Sequence, residues 1–222
     1  MEENENIEIN ANQFRIAVKE YYNELLINSS HSSKNFKAHL IKVYDGISNP
    51  LDINADYKPF NQPVCQYLDD CLGDASLLNK SICDTVSKIK HLLKWKINSN
   101  YKDVYPDDFF QNESFVEIIG PNGLLLCPEI RVGFLLLGQK VFYPSHKHEA
   151  LELYNIMSGI GLWQIGDNEF VEKRPDDSIF HDLWVPHAMK TKGNSVLALF
   201  SWSGQIDSEA VSISENQFYE TS

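Results

Sequence analysis

The first hundred residues carry apolar side chains at the three- and four-residue spacing of amphipathic helices. One stripe consists of Phe14, Val18, Tyr21, Tyr22 and Leu25, and a second of Phe36, Leu40, Val43, Tyr44 and Ile47. Pro63 can open a third helix, and Ser81 with Asp84 resembles a capping box at the start of a fourth. These stripes need a partner to cover them, so we predict a helical layer packed on the rest of the chain.

From about residue 114 the pattern changes to short apolar runs separated by turn residues. The runs are 115–119, 130–137, 151–157, 161–165, 178–180 and 196–202. Turn-forming segments such as 120–123 and 166–168 separate them, and no helical pattern intervenes. Frequent short strands of this kind predict a closed or two-sheet antiparallel barrel.

Together the two patterns predict a mainly β fold in which several α-helices precede a barrel. We expect residues 1–113 to form a helical extension packed on the barrel, 114–205 the barrel, and 206–222 a polar C-terminal tail. His31, His39 and His91 fall in the helical part, where we expect ordinary surface or helix-packing side chains.

Composition narrows the class of protein. The chain has 222 residues, 43% of them hydrophobic, and 31 acidic against 19 basic side chains give a net charge of −12. An acidic surface is a poor partner for phosphate backbones, and no apolar run approaches the roughly 20 residues that span a bilayer. The first residues lack the features of a secretory signal, and the four cysteines form no CxxC pair. We therefore expect a soluble cytoplasmic protein with no nucleic-acid or membrane partner.

Candidate chemistry is concentrated in residues 143–154. On an extended chain, residues two apart share a face, and His146, His148, Glu152 and Tyr154 are all even-numbered. A strand with at most a small irregularity would send the four side chains to one side. His187 is the candidate for a fourth ligand beside the two histidines and Glu152. This set predicts a site for one divalent transition metal ion (zinc, iron, manganese, nickel or cobalt), with coordination positions left for water or substrate.

His181 stands apart from the other histidines because it lies six residues before His187 in a strand-like run. Two interpretations of His181 stay open: its side chain lines the pocket, or it packs against it.

The spacing of the metal-site residues resembles the first motif of the cupin superfamily, whose fold is a double-stranded β-helix barrel. The motif here is His146-x-His148-x₃-Glu152-x₆-Gly159. The second cupin motif is degenerate, because Asp182 and Trp184 stand where Pro and Gly are usual.

A larger set of segments resembles the cupin-type dimethylsulfoniopropionate (DMSP) lyases over about residues 115–205. These segments include 120–123, 131–133, 143–148, 152–154, 158–159, Trp163, 187–191 and 197–204. The helical N-terminal part also fits that family, whereas Gln205 replaces an Asp often expected there. The resemblance implies a carbon–sulfur lyase of a bacterial cytoplasm, which cleaves DMSP by β-elimination to acrylate and dimethyl sulfide.

This reaction suggests roles for the aromatic residues. Beside the metal, Tyr154 would have a lowered pKa and serve as general base, and Tyr143 could orient substrate or replace it as base. The sulfonium cation of the substrate needs an aromatic face. Candidates for that contact are Trp202, which lies in a segment matching the family, and Trp163, Trp184, Phe180 and Tyr143.

Three alternatives remain. The same site could serve an isomerase, an oxygenase or a lyase acting on another small carboxylate, because fold does not imply function. The barrel could also be a non-catalytic, ligand-sensing module, or purely structural. The sequence leaves open the identity of the metal, the choice between the two tyrosines, and whether the protein is a monomer or a homodimer.

Overall fold

The computed structural model describes residues 2–29, 32–102 and 105–213, so His31 and the final part of the predicted tail lie outside the described residues. Its α-helices are α1 (Glu2–Asn28), α2 (Lys34–Gly46), α3 (Leu68–Gly73), α4 (Lys80–Ile89) and α5 (Asp107–Asn112). None of the helices in these ranges is both long enough and apolar enough to cross a bilayer.

The predicted helical stripes form the inner faces of the N-terminal helices. Phe14, Val18 and Tyr22 of α1 are buried, and α1 packs against α2 and α4. Helix α2 begins after Ser33, whose hydroxyl accepts a hydrogen bond from the backbone N–H of Phe36 at 3.2 Å. Such a cap satisfies one of the free N–H groups of the first turn.

The predicted capping box at Ser81 is wrong. Helix α4 begins at Lys80, and Asn79 in the cap position makes no side-chain hydrogen bond to the helix. The Asn79 amide instead donates to the carbonyl of Ile156 at 2.9 Å. A tertiary contact to a strand has therefore replaced the local cap that the sequence pattern indicated.

The strands form two sheets. They are β1 (Trp95–Lys96), β2 (Glu113–Gly120), β3 (Leu125–Leu126), β4 (Ile130–Leu137), β5 (Phe142–Lys147), β6 (Leu151–Ser158), β7 (Gly161–Ile165), β8 (Val171–Lys173), β9 (Ser178–His181), β10 (His187–Thr191), β11 (Val196–Ser203) and β12 (Val211–Ser212). The larger sheet has the order β1-β2-β4-β11-β6-β9, with β3 parallel to β2, and the smaller sheet has the order β12-β5-β10-β7-β8. All the other pairings are antiparallel. The prediction of a mainly β, cupin-type barrel preceded by helices is confirmed.

The larger sheet separates two apolar cores. On its outer side, Phe134 lies 6.1 Å from Phe14 of α1, measured between ring centroids. On its inner side, Leu135 and Phe200 pack with residues of the smaller sheet such as Met189. Neighbouring residues of one strand thus serve different cores, as the two-residue period of a strand requires.

The predicted boundaries of the barrel, after residue 113 and after residue 205, stay a prediction. Strands β1 and β12 lie outside the range 114–205, yet each pairs with a strand inside it or at its edge.

Gly159 of the quoted motif lies at the turn after β6 with φ +80°. A Cβ at Gly159 would lie 2.0 Å from the carbonyl oxygen of Ser195, so the close approach of the two chains requires glycine there.

Candidate metal centre and active site

The predicted metal-site residues come together between the two sheets. His146 is near the end of β5 and is paired in register with His187 at the start of β10. Glu152 lies in β6 of the other sheet, and His148 lies in the connection between β5 and β6. The expectation of one nearly continuous strand is therefore wrong: the chain crosses from one sheet to the other, and the side chains converge because the sheets face each other.

Glu152 is the centre of this cluster. Its Oε2 lies 3.2 Å from Nε2 of His148, 3.0 Å from Nδ1 of His181 and 3.2 Å from Nε2 of His187. Burial alone would raise the pKa of Glu152, but electrostatic interactions and hydrogen bonds with the neighbouring histidines, first of all His148, outweigh it and hold the pKa well below its ordinary value. Glu152 is therefore a carboxylate.

Strand neighbours fix the Glu152 side chain from both sides. His181 of β9 and Trp202 of β11 are its partners in register. The indole Nε1 of Trp202 donates to Oε1 of Glu152 at 2.6 Å. Both carboxylate oxygens are thus held, as expected for a preorganised ligand.

Three histidines of the site use the same ring nitrogen, Nδ1, to contact the backbone. In each, Nδ1 lies within hydrogen-bonding distance of a backbone carbonyl: 2.9 Å for His146 and Pro144, 3.0 Å for His148 and Ala150, and 3.0 Å for His187 and Val185. The Nδ1 atoms therefore carry protons, and each Nε2 has a lone pair for a cation.

The arrangement fits a metal ion. Ligand atoms of His148, Glu152 and His187 lie within 4.8 Å of one another, and all three residues are buried. Nε2 of His187 has no hydrogen-bond partner in the described part of the chain, although a carboxylate oxygen of Glu152 is 3.2 Å away. Lone pairs facing a carboxylate at that distance are stabilised by a proton or a cation between them.

His146 and His181 flank this group of three. The His146 ring centroid lies 4.2 Å from that of His187, but no ligand atom of His146 belongs to the group. His181 stacks on His187 at 3.8 Å, and burial lowers the pKa of His181 to about 3. His181 does not line the cavity described below, and its Nδ1 contacts the Glu152 carboxylate.

Tyr154 and Tyr143 reach the site from different sheets. Burial, and next the carboxylate of Glu152, raise the pKa of Tyr154 well above its ordinary value. Burial, followed by Tyr101, does the same for the pKa of Tyr143, which stacks on His146 at 4.4 Å. The predicted lowering of the Tyr154 pKa thus depends on positive charge beside Glu152.

A cavity of about 200 Å³ opens onto these residues. Of the predicted site residues, its lining includes Tyr143, His146, His148, Glu152, Tyr154 and Trp202. The indole of Trp202 lies 4.3 Å from the His148 ring. Trp202 is therefore both a cavity wall and a hydrogen-bond donor to Glu152.

The other predicted aromatic residues do not line the cavity. Trp163 is buried in the inner core, 6.2 Å from the Tyr154 ring. Phe180 faces the helices, with its ring 5.3 Å from that of Phe36. Trp184 is 46% exposed and has φ +59°, so the position where cupins usually have Gly keeps the left-handed backbone that favours Gly.

The cavity is also lined by residues for which the sequence analysis predicted no role. Glu113, Phe115 and Glu117 alternate along β2 and line one wall, and Arg131 of β4 lies beside them. Glu113 and Glu117, four residues apart within the strand, were the available signal, because one of the two faces of a buried strand then carries both acidic groups. Arg131 also lies in a segment that resembles the lyases.

Comparison with known proteins identifies the family. Residues 35–198 match the family model for dimethylsulfoniopropionate lyase. The chain is 24% identical over 182 residues to the putative dimethylsulfoniopropionate lyase DddL of Cereibacter sphaeroides, covering 79% of this chain and 75% of that protein. It is 26% identical over 104 residues to the dimethylsulfoniopropionate lyase DddQ of Ruegeria pomeroyi, covering 47% of this chain and 52% of that protein.

Solved structures show the same fold. A structure from a study of the DMSP lyases RdDddP and RnDddQII superposes with a TM-score of 0.71 at 22% identity, covering 93% of this chain and 98% of that chain. The crystal structure of DddQ from Ruegeria pomeroyi gives a TM-score of 0.69 at 19% identity, covering 89% and 96%. Since the family model spans most of the sequence and contains the buried His–Glu cluster, the chain belongs to the dimethylsulfoniopropionate lyase family.

Proposed function

We propose that this protein is a metal-dependent lyase that cleaves DMSP to acrylate and dimethyl sulfide. The observation that carries this proposal is the buried cluster of His148, Glu152 and His187, which adjoins a small cavity in a chain of the DMSP lyase family. A cavity of about 200 Å³ admits only a small molecule, in agreement with a short zwitterionic carboxylate.

His148, Glu152 and His187, with His146 beside them, would hold one divalent transition metal ion. When bound, the ion supplies a Lewis acid that neutralises charge developing on the substrate carboxylate. The hydrogen bonds of the Nδ1 atoms and of Trp202 orient the ligands before substrate arrives.

Tyr154 is the proposed general base. It takes the proton from the carbon next to the substrate carboxylate, the electron pair of that C–H bond forms the new C=C bond, and the C–S pair leaves with sulfur as neutral dimethyl sulfide. Because burial and Glu152 raise the pKa of Tyr154, its phenolate forms only when positive charge lies near that carboxylate. Tyr143, stacked on His146, is the proposed orienting phenol.

Trp202 is the proposed aromatic face for the sulfonium group, since it lines the cavity and its ring lies 4.3 Å from that of His148, measured between centroids. His181 is proposed to position Glu152. The cytoplasmic location and the choice between monomer and homodimer stay predictions.

Headspace gas chromatography tests the function directly. Purified protein, loaded separately with Zn²⁺, Fe²⁺, Mn²⁺, Ni²⁺ or Co²⁺, is given DMSP, and release of dimethyl sulfide is measured with and without a chelator. We expect metal-dependent release that the chelator abolishes. No release from folded, metal-loaded protein with any of the metals would overturn DMSP as substrate and leave other small carboxylates to be tested.

A further inference from the structure

Glu113, the first residue of β2, is a buried carboxyl group in the cavity wall. It is 1% exposed, and neither of its carboxylate oxygens has a hydrogen-bond partner in the ranges 2–29, 32–102 and 105–213. Burial raises the pKa of Glu113 to about 8. An unsatisfied buried group of this kind costs about 1–3 kcal/mol of stability, so its presence needs an explanation.

The other buried glutamates of the described residues have partners. Glu152 accepts from Trp202 and contacts the histidines, as described above. Glu117 accepts a hydrogen bond from the backbone N–H of Asn122 at 2.6 Å and lies 3.7 Å from the guanidinium of Arg131. Glu113 therefore differs from them in facing the cavity without a partner from the described chain.

Several aromatic side chains line the cavity together with Glu113, alongside polar residues such as Asn98 and Asn100. Phe115 and Tyr143 line the same cavity, and Tyr101 contacts Tyr143 edge-to-face at 6.1 Å. Burial raises the pKa values of Tyr101, Tyr143 and Tyr154, so these phenols are neutral in the absence of added positive charge. A carboxyl group among neutral aromatic rings is suited to a cation that has no N–H or O–H donor, such as a sulfonium or quaternary ammonium group.

Strand order sets Glu113 apart from the histidines. Strands β4 and β11 lie between β2 and β6 in the sheet, so Glu113 and Glu152 enter the cavity from separate parts of its wall. A zwitterion presents opposite charges at its two ends. The raised pKa keeps Glu113 protonated in the free protein near neutral pH, and a cation beside it favours loss of that proton. The resulting carboxylate attracts the cationic end and repels the anionic end, which leaves the anionic end for the His–Glu cluster.

We propose that Glu113 binds the cationic end of the substrate and thereby fixes the orientation in which a zwitterionic carboxylate enters the cavity. This inference rests on the proposed function for its substrate class. It assigns Glu113 a role in substrate specificity, separate from proton transfer by Tyr154.

A matched pair of ligands tests the charge alone. 3-(Trimethylammonio)propanoate and 4,4-dimethylpentanoate have the same shape and differ in having a cationic nitrogen or a neutral carbon. Their dissociation constants are measured by titration calorimetry at about pH 8.5, above the raised pKa of Glu113, with Zn²⁺-loaded protein, for wild type, Glu113→Gln and Glu113→Asp. Glu129→Gln is the control, because it removes the same charge from a side chain that is 61% exposed.

We expect wild type and Glu129→Gln to bind the ammonium ligand at least about tenfold more tightly than the neutral one. Glu113→Gln should remove most of this preference, leaving only what cation–π contact with Trp202 supplies, and should change the Kd of the neutral ligand by less than about threefold. Glu113→Asp should retain a larger part of the preference. The measurement needs no turnover, so it separates this inference from the lyase assignment: absence of dimethyl sulfide release counts against the lyase, and only the ligand preference decides the role of Glu113.

Three results would overturn the proposal. Wild type could bind both ligands equally, or Glu113→Gln could keep the preference for the cation. Glu113→Gln could also weaken both ligands by the same factor, which would show a structural role. Metal content and melting temperature of each variant, measured on the same samples, establish that folded, loaded protein is compared.

Discussion

The two faces of the larger sheet are built from alternate residues of the same strands but serve different purposes. Towards the helices, Val116, Phe134 and Leu199 are fully buried in an apolar core. Towards the cavity, their neighbours Glu117 and Phe200 share a wall with other carboxyl groups, phenols and an indole. The apolar face holds the strands in place, and the strands in turn hold the polar groups of the opposite face at fixed positions.

Polar groups on the helix side differ from those of the cavity in their partners. His39 of α2 lies between the hydroxyls of Ser203 and Ser201, with both ring nitrogens 2.7 Å from a serine oxygen. Tyr22 donates to the same Ser201 hydroxyl at 2.5 Å. Burial lowers the pKa of His39 to about 4, so it is a neutral, helix-packing residue as predicted. A buried histidine with its bonds satisfied inside the fold has no free lone pair for a ligand, in contrast to His187.

The largest effects should come from removing a metal ligand on the cavity side. We expect His148→Ala and His187→Ala to lose nearly all bound metal and, with it, turnover, because each removes one of the three converging ligands. Elemental analysis of the purified variants checks this. Full metal content in either variant would contradict the ligand assignment.

Tyr154→Phe should separate chemistry from metal binding. The ring and its packing remain, so metal content should equal that of wild type, whereas turnover should fall about 10²–10⁴-fold if the phenol is the general base. Dimethyl sulfide release and elemental analysis on one sample give both values. A turnover within a few-fold of wild type would assign the base to another group, and Tyr143→Phe is then the variant to compare.

A substitution on the helix side should give the opposite result. Phe134 is fully buried against Phe14, so Phe134→Ala is expected to lower the free energy of unfolding by about 3–5 kcal/mol. Metal content and KM of the remaining folded protein should stay near wild type. Denaturant unfolding with parallel metal analysis checks both, and loss of metal without loss of stability would show that the two faces are not separable in this way.

The sequence predicted most residues of the metal site, but the structure brings them together in a different way from the one predicted. The spacing of His146, His148, Glu152 and Tyr154 predicted one shared face on one strand. In the structure the chain changes sheets between Lys147 and Leu151, and the side chains meet across the barrel. Residue types and spacing revealed the cluster, whereas the pairing of two distant sheets, which positions His187, is a long-range property.

The predicted substrate contacts of the aromatic residues show that a local sequence pattern does not determine which face of a strand lines the cavity. Phe180 and His181 are adjacent, so a strand sends them to opposite faces, and nothing local states which face contacts the helices. Glu113 was missed for a related reason. It lies just before the apolar run that predicted the strand, and its distinguishing feature is the absence of a partner among the described residues, which depends on the packing of the whole fold.

The last expected effect concerns the pH dependence of stability, and it tests the contrast between buried polar groups with and without hydrogen-bond partners. Burial raises the pKa of Glu113 from 4.5 to about 8. Between these values the unfolded chain releases the Glu113 proton while the folded protein retains it, so this group's stabilising contribution is complete below about pH 4.5 and is lost as the pH rises to about 8. Glu113→Gln lacks this loss.

The melting temperature of Glu113→Gln minus that of wild type should therefore increase from pH 5 to pH 8.5, by about 2–4 °C for each kcal/mol involved. Metal binding also depends on pH, but it affects both proteins and is cancelled in the difference if loading is equal. Glu129→Gln, which removes an exposed carboxylate, should run parallel to wild type. If the melting temperatures of Glu113→Gln and wild type also changed in parallel with pH, Glu113 would have the same pKa in the folded and unfolded protein. Burial in the cavity wall would then not disfavour its charged form.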